Sequence, residues 1–180
     1  MLNILETERL LLRNYQIEDL DSYNILKTEP LIWKYSTTSI SDGLEESKRY
    51  LDKVLHNYDE NLPDFQALFI KDTNEYIGEA GVLSYVKRTH RAVIGYNLLP
   101  EYWNKGYATE ITKAIVKHLF EVVDIERIEA LVMQGNDASR RVLEKSGFIV
   151  EGILRHFTKI YNDYYDVYYY GMIKSDYFSN

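Results

Sequence analysis

The chain has 180 residues, 46% of them hydrophobic, enough to bury one substantial core, and the expectation is a single domain over residues 1–180. Its 28 acidic and 21 basic residues give a formal charge of -7, which disfavours general affinity for a polyanion such as nucleic acid and suits cationic substrates. Having no cysteine, it has no disulfide, cysteine nucleophile or thiolate metal site, and its four histidines, His56, His90, His118 and His156, lack close ligand spacing.

The start, MLNILETERL, has neither a basic region leading into a long apolar run nor a small-residue cleavage pattern, and no later segment reaches roughly 18 uninterrupted apolar residues. A soluble, cytoplasmic protein without membrane contact is therefore expected. RLLLRNY (Arg9–Tyr15) is a strand candidate, and Ile17–Lys27 puts Leu20, Tyr23 and Lys27 on one helical side before Pro30 breaks the pattern. A second helix follows Ser41–Asp42, with Leu44, Ser47, Leu51, Val54 and Leu55 at helical spacing. Phe65–Asp72 then forms a strand, Asp72–Glu75 a turn, and Glu75–Val86 a strand in which Gly78 and Gly81 suggest bulges or close packing. With Arg91–Leu99 these strands make an antiparallel meander.

Pro100 arrests that meander, and after Gly106 a helix carries Ala108, Ile111, Ile115, Leu119 and Val122 as one apolar stripe ended by Asp124. Arg127–Met133 alternates as a strand, and a short helix from Asn136–Asp137 is closed by Gly147. The hairpin of Phe148–Ile160 and Tyr165–Ile173, turned by Tyr161–Tyr164, completes the chain. Strands outnumber helices, and helix and strand alternate only in the second half. The fold class expected is mixed α/β layers rather than a doubly wound parallel sheet.

YWNKGYAT (Tyr102–Thr109) offers anion-binding chemistry, because the first backbone N–H groups of a helix lack internal partners and Gly106 permits a tight turn and close approach. Lys105 adds charge nearby. There is no Gly-Lys-Ser/Thr loop and no GxGxxG.

Trp103-Asn104-Lys105-Gly106-Tyr107-Ala108 resembles the acyl-CoA signature Gln/Arg-x-x-Gly-x-Gly/Ala of the GCN5-related N-acetyltransferases, with Trp103 in the form used by the subgroup that acetylates ribosomal-protein N-termini. NDASRRVLEKSGFIVEG (Asn136–Gly152) resembles that subgroup's Asn-x-x-Ser and Glu-Lys-x-Gly-Phe block, and ETERLLLR (Glu6–Arg13) its start. The resemblance implies a mostly antiparallel central sheet flanked by helices and splayed between the fourth and fifth strands, Arg91–Leu99 and Arg127–Met133. It also implies acetyl-CoA as cofactor. Leu98 and Leu99 would offer backbone groups to the pantetheine, Asn104, Lys105, Gly106, Tyr107, Ala108 and Thr109 would hold the pyrophosphate, Asn136 would bond the pantetheine or simply cap its helix, and Ser139 would reach the sulfur. The tyrosine acid of many relatives falls on Leu143.

A proton acceptor for the amine is expected near the cleft, with Glu79 the first candidate against exposure or pairing, and His90 the second. Asn97 would shape the splay. Alternation sends Tyr168 and Tyr170 to one sheet face and Tyr169 to the other, completing the core and a homodimer surface or receiving a cationic acceptor. Trp33 and Tyr35 are candidates for a substrate lid. The expected activity is acetyl transfer to a primary amine, first of all a ribosomal-protein N-terminus. The alternatives are a polyamine or an aminoglycoside as acceptor, or a non-catalytic acyl-CoA-binding module.

Overall fold

The computed structural model describes residues 4–37, 39–160 and 162–179, so Tyr161 of the expected last turn lies outside the described residues. Its strands are β1 (Leu5–Glu6), β2 (Leu10–Arg13), β3 (Phe65–Ile70), β4 (Glu75–Val86), β5 (Arg91–Leu98), β6 (Arg127–Met133), β7 (Ile149–Ile160) and β8 (Asp163–Ile173). Its helices are α1 (Leu20–Thr28), α2 (Pro30–Trp33), α3 (Leu44–Asp59), α4 (Tyr107–Glu121), α5 (Asp137–Lys145) and α6 (Lys174–Ser179). The strands form one eight-stranded sheet in the order β1-β2-β3-β4-β5-β6-β8-β7. Every pairing is antiparallel except that of β5 with β6.

The expected meander is present, and so is the final hairpin. The two-residue β1 and the terminal α6 are additions that short, unpatterned segments did not signal. Pro30 ends α1 as expected, and it also opens α2, where a missing N–H costs nothing and the Glu29 carboxylate accepts from the Leu31 N–H at 3.0 Å. Gly147 closes α5 at a φ of 93°, with its own N–H donating to Glu144 and that of Phe148 to Leu143.

The two sheet faces carry different layers. Ile111, Ile115, Leu119 and Phe120 of α4 pack with Ala80, Val82, Ile94, Ile128 and Val132 in the larger core. Each such side chain contributes about 1.5–3 kcal/mol when fully buried. Tyr23 of α1 and Leu51 and Val54 of α3 cover Ala67 and Phe69 on the opposite face. Two stripe positions depart from the expected pattern. Val122 is 71% exposed because α4 has already ended at Glu121, and Leu44 stands exposed at the first position of α3.

Gly78 sits at a bulge between β3 and β4, and a Cβ there would lie 2.1 Å from the Asn97 carbonyl, so β4 and β5 approach as only glycine allows. The parallel pair β5–β6 is short: Arg91, Ala92 and Val93 oppose Arg127, Ile128 and Glu129, and then the strands separate. β8 meanwhile follows β6 along its whole other edge, from Arg127↔Ile173 to Met133↔Val167. The sheet is therefore continuous except for one wedge, which opens between the ends of β5 and β6.

Candidate active site

A cleft of about 440 Å³ lies at this wedge, lined by the end of β5, the turn before α4, α5 and the α2 region. The turn is built by two left-handed residues, Asn104 at φ 60° and Gly106 at φ 84°. Gly106 is the N-cap of α4 and has no side chain to cap it. Glu110 N–H makes the first helical bond back to Gly106, so the N–H groups of Tyr107, Ala108 and Thr109 at the cleft wall have no partner from within the helix. Arg9 braces the turn from behind. Its guanidinium donates to the Lys105 carbonyl at 3.1 Å and to Glu110 Oε2 at 2.6 Å, and it lies 4.6 Å from the Tyr107 ring centroid.

Most of the expected cofactor residues meet here: Leu98, Asn104, Gly106, Tyr107, Ala108, Thr109, Asn136 and Ser139 all line the cleft. Two of the expected groups are placed otherwise. The Leu99 N–H is committed to the Ile77 carbonyl at 3.0 Å, so the peptide of Leu98, one residue back, is the one turned toward the wedge. The Leu98 carbonyl already accepts from the Trp103 indole at 2.6 Å, which fixes the turn to the strand. The Lys105 ammonium lies 5.2 Å from the Tyr102 ring centroid, outside the lining. The cations that do line the cleft are Arg141 and Lys145, on one row of α5 with Ala138 and Val142. That row has the spacing of a helical face and was visible in the sequence as i, i+3, i+4 and i+7.

Asn136 is the N-cap of α5, its Oδ1 accepting from the Ser139 N–H at 3.2 Å, while the residue also lines the cleft. Capping occupies the amide oxygen and leaves the NH₂ end for a ligand. Ser139 Oγ stands 2.8 Å from the hydroxyl of Tyr96, a residue that sequence patterning did not single out. Tyr96 comes from β5 on the opposite wall. Burial, only partly offset by the Ser139 hydrogen bond, raises its phenol well above the ordinary range. Leu143 is buried in the larger core and does not line the cleft.

Glu79 is fully buried and does not line the cleft; pairing is what the geometry gives. Its Oε1 accepts from Lys27 Nζ at 2.9 Å and from Asn97 Nδ2 at 2.8 Å, and its Oε2 from the Tyr15 hydroxyl at 3.2 Å. Lys27, 7% exposed, has the Trp33 and Tyr23 ring centroids at 4.4 and 4.8 Å. Burial first, then the Glu79 charge, pushes the Tyr23 and Tyr76 phenols up. Asn97 is the member of this network that lines the cleft.

The other candidates fall away from the cleft. His90 directs Nδ1 to the Asp124 carbonyl at 3.3 Å, at the far end of β5. Trp33 is a buried wall whose indole donates to the Leu26 carbonyl, whereas Tyr35 does line the cleft. Tyr168 and Tyr170 share a face as alternation required, the first under the Arg140 guanidinium and the second donating to Glu144, both on α5. Tyr169 turns to the opposite face, toward Arg127. Among the described residues, no group of three or more metal-ligating side chains is present, and no helix is long and apolar enough to cross a membrane.

The arrangement suits an acylated polyphosphate cofactor: helix N–H groups with no partner from within the helix, the cations Arg141 and Lys145, no acidic residue among the described lining residues, and a narrow wedge ending at a hydroxyl pair. Residues 9–149 match the acetyltransferase (GNAT) domain family. The chain is 30% identical over 174 residues to the uncharacterised N-acetyltransferase YoaA of Bacillus subtilis (strain 168), covering 97% of this chain and 98% of that one. It is 28% identical over 149 residues to the spermidine N(1)-acetyltransferase of Escherichia coli (strain K12), covering 81% and 75%. The crystal structure of a GNAT-family acetyltransferase from Bacillus anthracis superposes with a TM-score of 0.86 at 26% identity, covering 96% of this chain and 99% of the other. The domain match, the splayed sheet and the cleft at the head of α4 agree, and the chain belongs to the GNAT acetyltransferases, enzymes that transfer an acetyl group from acetyl-CoA.

Proposed function

We propose that the acceptor is the α-amino group of a protein N-terminus, with a ribosomal protein as the first expectation from the Asn136–Gly152 block. The observation that carries this is the make-up of the cleft: among its described lining residues none is Asp, Glu or His. An acceptor must lose a proton before its nitrogen can attack, and with no base among the described lining residues it must arrive neutral. With a pKa near 7.8, an α-amine is roughly one-third neutral at pH 7.5, whereas an alkylamine near 10.4 is roughly 0.1% neutral, a difference of about 250-fold. That difference supports the α-amine as the acceptor.

The chain's own residues then divide the work. The N–H groups of Tyr107, Ala108 and Thr109, with Asn104 and Gly106 shaping the turn, hold the pyrophosphate, and Arg141 and Lys145 add charge. The Leu98 peptide and the Asn136 amide orient the pantetheine, and Lys105 and Leu99 support the turn and strand. Bound acetyl-CoA supplies a thioester carbonyl and a thiol leaving group. Ser139 stands where that sulfur would leave. Glu79 acts through Asn97, which it holds at the wedge.

Thiol release should be followed with N-terminal peptides and with spermidine from pH 6.5 to 10. Peptide turnover should rise with pH, pass half its maximum near 7.8 and level off near 9, following the amine's own titration, and Glu79→Gln should keep that shape. Turnover of spermidine at pH 7.5 with none of any peptide would overturn the assignment. Polyamine acetylation is the second reading, favoured by the spermidine N(1)-acetyltransferase relative and by the acidic net charge.

A further inference from the structure

We propose that Tyr96 is a positioning residue for acetyl transfer, turning the Ser139 hydroxyl so that its proton points into the cleft at the departing sulfur. The Tyr96 hydroxyl reaches two oxygens of one residue: Ser139 Oγ at 2.8 Å, where either hydroxyl can donate, and the Ser139 carbonyl at 3.1 Å, which can only accept. If the phenol proton goes to the carbonyl, the serine proton is drawn back toward the phenol oxygen. If it goes to Oγ, the serine proton is released toward the cleft, which both residues line. Tyr96 thus decides the direction of the one hydroxyl proton that α5 offers, since Leu143 has no polar atom to give.

Burial keeps this phenol protonated, so Tyr96 remains a donor across the working pH range and never becomes a tyrosinate. In the transfer step, the amine nitrogen bonds to the acyl carbon as the C–S bond breaks, and the electron pair of that bond goes to sulfur. Ser139 O–H hydrogen-bonds the sulfur as its charge develops. The proton shed by the amide nitrogen passes to solvent, and the thiolate later takes one from solvent, so neither hydroxyl changes its net protonation. A hydrogen bond to an anionic acceptor is worth more than one to a neutral group, so the pair favours departure.

The proposal rests on acetyl transfer itself and not on which amine accepts, and it can be tested with CoA alone. The ultraviolet absorbance of the thiolate reports the titration of the bound thiol. In the unaltered protein that thiol should titrate below about 8.5, and both Ser139→Ala and Tyr96→Phe should raise it by about one unit. The double variant should shift it no further, because Tyr96 acts only through Ser139. With an accepted amine, kcat should fall about tenfold in each single variant and no more in the double, with KM for acetyl-CoA within about twofold. An unaltered thiol titration in Tyr96→Phe, or shifts that add in the double variant, overturns the proposal. Melting curves check folding, and should Tyr96→Phe not fold, an unaltered thiol titration in Ser139→Ala overturns it equally.

Discussion

Lys27 and Glu79 meet beneath the helices α1 and α3, 52 residues apart in the chain, with neither side chain more than 9% exposed. Removing a charge from water is costly, and the remaining partner bears that cost alone if the other is deleted. Lys27→Ala should therefore destabilise the protein by about 3–5 kcal/mol, and the Lys27→Met, Glu79→Gln pair should recover most of it. Urea denaturation of the single and double variants measures this, and an additive loss would show that the two charges do not depend on each other. The Trp33 and Tyr23 faces add about 0.5–2 kcal/mol of cation–π attraction each, so the double variant should still fall somewhat short. Spacing in α1 placed Lys27 on the same side as Leu20 and Tyr23, so its burial was legible. Its partner was not, because nothing local links a helix end to the middle of a strand that has yet to be folded beside it.

At the level of elements, the proposed phosphate site sets helix stability against binding at the head of α4. An aspartate at the N-cap would accept from the first N–H groups and steady the helix by about 1 kcal/mol, offsetting the strain of a φ of 84°. The same carboxylate would occupy the donors proposed to hold phosphate. Gly106→Asp should then leave the melting temperature within a few degrees while weakening CoA binding by more than about tenfold, as calorimetry would measure. Unchanged affinity would remove the anion-binding role from this turn.

The glycine turn, the amphipathic α4 and the Asn136 cap could all be read from local pattern, since each depends on residues within one or two turns of it. β1 and α6 could not, because two residues of strand or six of helix carry no period. Tyr96 escaped for another reason. Alternation gives the face a strand residue uses, but its value here comes from the early end of the β5–β6 pairing, which exposes that face to α5.

Across the whole molecule, charge is divided unequally. The chain carries a formal -7, yet the cleft is lined by Arg141 and Lys145 and by no acidic residue among those described. A polyphosphate approaching from afar is repelled by the total charge, and one already at the cleft is attracted by the two cations and the helix N–H groups. Distance decides between them: at about 0.1 M salt the screening length is about 10 Å, so the dispersed surface acids fade and the lining cations remain. Binding should accordingly weaken as salt rises further and begins to screen the cleft itself. KM for acetyl-CoA should increase about tenfold between roughly 50 and 500 mM salt with kcat little changed, and Arg141→Ala combined with Lys145→Ala should flatten that slope. Should KM instead fall with added salt, the repulsion of the net charge would be the larger force and the two α5 cations would not be the cofactor's counter-ions.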